Sequence, residues 1–184
     1  MIRYAAFLRG INVGGHKKIK MEDLRTVFDD TGFENVRTLL ASGNVIFSAP
    51  AAGESAFAKK VEEMLKTAFG YEIGVIIRKI TGLQRLAEVK PFAGIKVTPQ
   101  TRLYVTFLPE KSKSSLRIPY TSPDKSFKII RATGGEVCSV LTLSPGSRTV
   151  DLMSILEKEF GRKITTRNWN TVEKILKASG LNTS

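Results

Sequence analysis

A chain of 184 residues, 42% hydrophobic and 25% charged, carries enough apolar material for one packed domain or two small ones; disordered, collagen-like and low-complexity polymers are excluded. Its 29 Lys and Arg against 17 Asp and Glu give a formal charge of +12, an excess that bears on partners rather than on fold. A single cysteine, Cys138, excludes an intramolecular disulfide. With no signal-like leader, and no apolar run near the roughly 20 residues that cross a bilayer, a cytoplasmic protein without a membrane partner is expected.

In chain order, Ile2–Leu8 alternates as a strand and a Gly-rich loop, residues 10–20, follows. Met21, Leu24, Val27 and Phe28 mark a helix stopped by Gly32. Val36–Ala41 and Asn44–Ser48 read as two strands joined by a tight turn through Ser42-Gly43. Phe57, Val61, Met64, Leu65 and Phe69 fall at helical spacing and end at Gly70, and Ile73–Lys79 closes the set as a strand. Thr81–Val89 reads as a linking helix before a connector holding Pro91, Gly94 and Pro99.

The order then repeats. Thr101–Leu108 is a strand, Ser112–Leu116 a reduced helix, and Phe127–Arg131 with Glu136–Leu143 a hairpin around Thr133-Gly134-Gly135. Arg148–Phe160 is a helix, Lys163–Thr166 a short strand and Trp169–Ser179 a terminal helix, with Asn170 and Glu173 spaced as a capping box. The expected fold class is therefore α+β: two tandem ferredoxin-like (split β-α-β) halves with a C-terminal helix. Residues 1–80 form the first half, 81–100 the linking helix and connector, and 101–184 the second half.

In a split β-α-β sheet the first two strands run the same way and the third lies reversed between them. The loop after the first strand therefore meets the hairpin some thirty residues later. That edge gathers Arg9, Asn12, Gly14, Gly15, Lys17, Lys18, Lys20, Ser42 and Asn44, the candidate ligand-binding residues of the first half. The glycines of Gly10-Ile11-Asn12-Val13-Gly14-Gly15-His16-Lys17 keep the Walker A spacing, but His16 replaces the lysine and Lys17 the Ser or Thr. What survives is backbone open to an anion, with three lysines beside it. Base stacking on the sheet is not expected, because Asn44 and Ile46 stand where an RNA-recognition module places aromatic rings. One histidine and one cysteine make no metal set, and no cofactor or metal is expected. Near the C-terminus, Arg167 and Asn168 add a guanidinium and an amide beside a helix start, a second candidate anion site.

Leu8-Arg9-Gly10-Ile11-Asn12-Val13-Gly14-Gly15, Lys20-Met21, Ser42-Gly43-Asn44-Val45 and Thr166-Arg167-Asn168-Trp169-Asn170-Thr171-Val172 together resemble the bacterial "domain of unknown function sixteen ninety-seven" family. The resemblance spans essentially the whole chain and implies a compact α+β protein, with no assigned activity, cofactor or substrate. A lysine commonly follows the glycine pair in that family, and His16 departs from the pattern. Beside a plain interaction module whose charge serves only solubility, two functions remain open: a basic protein binding phosphate-bearing ligands, nucleic acid included, or an enzyme acting on a small anionic or phosphorylated metabolite. In the second case Asn44 and Asn168 would polarise a substrate that Arg167 orients. Neither the oligomeric state nor the relative orientation of the halves follows from these residues.

Overall fold

A computed structural model describes residues 1–15, 17–109, 115–144 and 150–180. The chain opens with β1 (Ile2–Leu8), α1 (Met21–Asp30), β2 (Glu34–Leu39), β3 (Asn44–Ala49), α2 (Glu54–Phe69) and β4 (Val75–Lys79). The strands lie in the order β2-β3-β1-β4, every neighbour antiparallel. This is the ferredoxin-like sheet expected from the element order.

After α3 (Ile80–Glu88) come β5 (Thr101–Phe107), β6 (Tyr120–Thr121), β7 (Phe127–Ala132), β8 (Glu136–Thr142), α4 (Val150–Phe160), β9 (Thr165–Asn168) and α5 (Trp169–Ala178). Their sheet runs β6-β7-β8-β5-β9, so β7-β8-β5-β9 reproduces the first sheet and β6 is an added edge strand. Contacts divide the chain into two compact units, Met1–Arg85 with Lys174–Ser184, and Leu86–Glu173; the divisions fall inside α3 and α5. The fold is α+β, two ferredoxin-like sheets with helices and a C-terminal helix.

Alternation along β1 turns Tyr4, Ala6 and Leu8 to one core, where they join Val45 and Phe47 of β3, Leu24 and Phe28 of α1, and Val61 and Leu65 of α2. Each such side chain contributes about 1.5–3 kcal/mol on burial. Rings dominate this core: Tyr4 stacks on Phe47 at 5.5 Å, Phe33 on Phe47 at 4.3 Å, and Phe57 meets Tyr4 edge-on at 5.0 Å. α2 ends at Gly70, whose φ of +78° lets its N–H reach the Lys66 carbonyl at 2.9 Å.

The outer edge of the first sheet at β4 is occupied by its own unit. Glu62 accepts from the Val75 N–H and Glu54 from the Lys79 N–H, both at 2.8 Å, while the Arg78 guanidinium donates to the Ile77 carbonyl at 2.8 Å. Elsewhere in the same unit, Arg3 donates to the Ser179 carbonyl and Arg37 to the Ala178 carbonyl, so two guanidinium groups face the carbonyl end of α5.

Local expectations are corrected at several points. Ser115 and Leu116 are not helical; they are irregular chain held by Glu159 of α4, which accepts from the Ser115 N–H, the Ser115 hydroxyl and the Leu116 N–H. The rest of that expected helix, residues 112–114, lies outside the described residues, as does the expected helix start at Arg148. β2 begins at Glu34, and Ala41 belongs to the turn rather than the strand. The last strand spans Thr165–Asn168 and passes straight into α5, so Asn170 lies in the helix's first turn instead of ahead of it.

Cys138 sits on β8, buried beside Val105 of β5. Burial pushes its thiol up to about 12, with the nearby Arg131 charge pulling the other way. A native-state thiol titration is expected to show Cys138 unreactive at pH 8, with full labelling after denaturation; rapid labelling of the folded protein contradicts this burial.

Candidate functional site

The loop between β1 and α1 is fastened at both ends. Ile11 and Ile19 are buried in the core of the first unit, and Val13, Gly14, Gly15, Lys17 and Lys18 are exposed between them. Asn12 closes that loop. Its backbone takes φ +55°, a left-handed conformation that asparagine tolerates, and its N–H donates to the Lys17 carbonyl at 3.1 Å. The side-chain Nδ2 donates to the carbonyls of Ile19 (3.0 Å) and Ala41 (2.7 Å), while Oδ1 accepts from the Ile19 N–H at 2.8 Å. One amide thus ties the loop to itself and to the β2–β3 turn.

That turn is a four-residue connection, Leu40 to Gly43, not the two-residue turn expected. The Leu8 N–H donates to the Gly43 carbonyl at 2.8 Å, and a Cβ on Gly43 would lie 2.6 Å from Ile11 Cδ1 and 2.9 Å from Leu8 Cβ. Only glycine fits there, at φ +75°. Asn44 is fully buried and donates to the Leu39 carbonyl at 2.9 Å and the Ser42 hydroxyl at 3.0 Å. Asn12 and Asn44 therefore do converge on one rim, but the hydrogen bonds of both amides go into holding it together.

Cations cluster on that support. Lys17, Lys18 and Lys20 are exposed; Lys17 donates to the Glu72 carbonyl at 2.7 Å and lies 5.6 Å from the Tyr71 ring centre. Arg9 is half-buried, with its N–H on the Gly74 carbonyl at 2.8 Å. Gly14 and Gly15, both exposed at positive φ, have open space where a side chain would begin. An open depression of about 800 Å³ is lined by Asn12, Lys18, Lys20 and Phe69, and also by Glu22 and Asp23 of α1. Those two carboxylates were not among the expected site residues, although they follow Lys20 within three positions.

Arg167 and Asn168 lie in the second unit. Arg167 is buried in β9, where Nη1 donates to Thr165 Oγ1 at 2.9 Å and to the Thr166 carbonyl at 3.0 Å; burial lowers its guanidinium to about 10, still protonated at neutral pH. Asn168 is exposed at the end of β9, and Trp169 packs edge-on against Phe92 at 5.3 Å. Among the described residues no group of His, Cys, Asp and Glu could hold a metal ion, and no helix is long and apolar enough to cross a membrane.

The conserved bacterial protein SP0830 from Streptococcus pneumoniae shares the fold, with a TM-score of 0.65 and 21% identity over 96% of this chain and 97% of that one. No curated protein matches the chain. The model of the family described as "Protein of unknown function (DUF1697)" matches residues 1–137, which includes the loop and the turn just described, and the chain belongs to that family.

Proposed function

We propose that the chain is a binding protein for phosphate-bearing anions, nucleic acid foremost, with the residue 10–20 loop as its first contact. The observation that carries this is the anchoring of the loop: Ile11, Ile19 and the Asn12 side chain fix a support from which Lys17, Lys18 and Lys20 project. Cations on a fixed support lose less freedom on binding than cations on a floppy one. Arg9 and the open backbone at Gly14 and Gly15 extend the same surface, and Ser42 and Asn44 brace it from the turn. Glu22 and Asp23 oppose a lone phosphate in the depression. They favour a polymer that engages several lysines at once, and a total charge of +12 supports the same partner. A cytoplasmic setting belongs to this proposal and suits a chain whose one thiol is free and buried.

An enzyme acting on a small anionic metabolite has weaker support. The amide of Asn44, a candidate to polarise its substrate, donates to the turn carbonyl and hydroxyl instead.

The test is fluorescence anisotropy with a labelled oligonucleotide, single-stranded and duplex, at about 50 mM salt and upward. Binding is expected to fall steeply with salt, and Lys17→Ala/Lys18→Ala/Lys20→Ala to weaken it by about tenfold or more at low salt. Absence of binding at about 50 mM salt overturns the proposal.

A further inference from the structure

β7 contains a displaced cation. Phe127 and Ile129 turn to the core of the second unit, and Lys128 to the opposite face. Strict alternation would send Arg131 inward with Ile129. Instead the ladder shifts between Ile129 and Arg131: the extra residue, Ile130, is a bulge, and Arg131 pairs with Cys138 while Lys128 pairs with Val140. Cys138 and Val140 share the face opposite the core residues Val137 and Leu141, so the bulge returns Arg131 to the side of Lys128 and leaves Ala132 to pack inward. Thr121 of β6 pairs directly with Lys128 and joins the same face.

An ammonium, a guanidinium and a hydroxyl therefore line one side of the β6–β7 edge. All three residues are exposed, and among the described residues none of these side chains has a hydrogen-bond or ion-pair partner. Lys128 and Arg131 stand opposite residues two positions apart on β8, a rise of about 7 Å. Two successive phosphates of one strand can span such a separation, and Arg131 can grip one of them through two parallel N–H groups. Glu136, half-buried on the same face, accepts from the Thr133 hydroxyl at 3.0 Å and is the acidic neighbour that an anion must approach. Among the described residues, the large exposed apolar ones are Met1, Val13, Leu40, Val89 and Val97. None belongs to this edge, so among the described residues it offers a membrane or an apolar protein surface no exposed large apolar side chain, and a base no exposed ring.

We propose that Thr121, Lys128 and Arg131 form a second backbone-phosphate contact, through which the protein holds a nucleic-acid strand without reading its bases. This rests on the polyanion reading above, but on a different unit and different residues from the loop.

The experiment uses the full chain and a labelled mixed-sequence single strand, followed by anisotropy between about 50 and 200 mM salt. Lys128→Ala/Arg131→Ala is expected to weaken binding roughly 5–20-fold at low salt and to make the log–log salt slope shallower by about 1.4, two contacts at about 0.7 each. Far-UV circular dichroism should be unchanged, and Arg131→Lys should retain the slope. Unchanged affinity and slope in the double variant, with wild type binding normally, overturns the edge site and leaves the loop proposal standing. Loss in the double variant with no loss in the triple-lysine variant does the reverse. No binding by the wild-type chain ends both.

Discussion

Gly43→Ala is expected to lower folding stability by about 2–5 kcal/mol, the largest effect of any single methyl group in the first unit. Two costs combine. A left-handed backbone costs a residue with a Cβ about 1–2 kcal/mol, and overpacking a closed site costs about 1–3 kcal/mol. Ile11 Cδ1 is the far end of a side chain and can turn aside, but Leu8 Cβ is fixed to the β1 backbone 2.9 Å away, and Leu8 is itself bonded to the Gly43 carbonyl. Relief therefore requires separating the β2–β3 turn from β1. Gly14→Ala is the control: it shares the positive φ but meets nothing within 4 Å, so only the backbone cost applies, about 1–2 kcal/mol. Urea unfolding of both variants checks the difference. Equal losses would mean that the close packing at Gly43 carries no weight.

Asn12→Ala ranks next, with an expected loss of about 2–4 kcal/mol. Three side-chain hydrogen bonds disappear, each contributing about 0.5–1.5 kcal/mol, and the half-buried Ile19 peptide is left to find water. Asn12→Asp keeps an acceptor for the Ile19 N–H but sets a charge against the Ile19 and Ala41 carbonyls, so it should fare no better than alanine. Hydrogen exchange gives the local readout, with amides of residues 13–18 exchanging faster in both variants. Because Asn12 and Gly43 brace the same turn, their double variant should lose less than the sum of the two single losses. A full sum would separate the two supports.

How much of this was legible beforehand depends on the type of signal. The first sheet and its helices follow from apolar spacing: Tyr4, Ala6 and Leu8 at period two, and Val61 and Leu65 at helical spacing, report burial directly. The convergence of the loop with the hairpin also followed, since strand direction alone brings Asn12 and Asn44 to one rim. The work those asparagines do was not visible. A polar residue among glycines has the same one-dimensional appearance whether its amide faces a ligand or a neighbouring carbonyl, and only the distances to Ile19, Ala41 and Leu39 separate the two. The face that Arg131 takes was hidden for another reason. A bulge changes the parity of a strand without changing its composition, so counting by twos places every later side chain on the wrong face. The segment before Pro119 misled because Ser115 and Leu116 are held by a carboxylate from distant α4 rather than by their own backbone.

The carboxylates along β4 have a bearing on assembly. An outer strand with vacant amides invites a strand from another molecule and can seed fibres. Here Glu54, Glu62 and Arg78 already occupy the positions such a recruit would need. Lateral growth through that border is therefore blocked by the same helix that closes the core, and the protein should tolerate crowding at this side without sticking to its own copies.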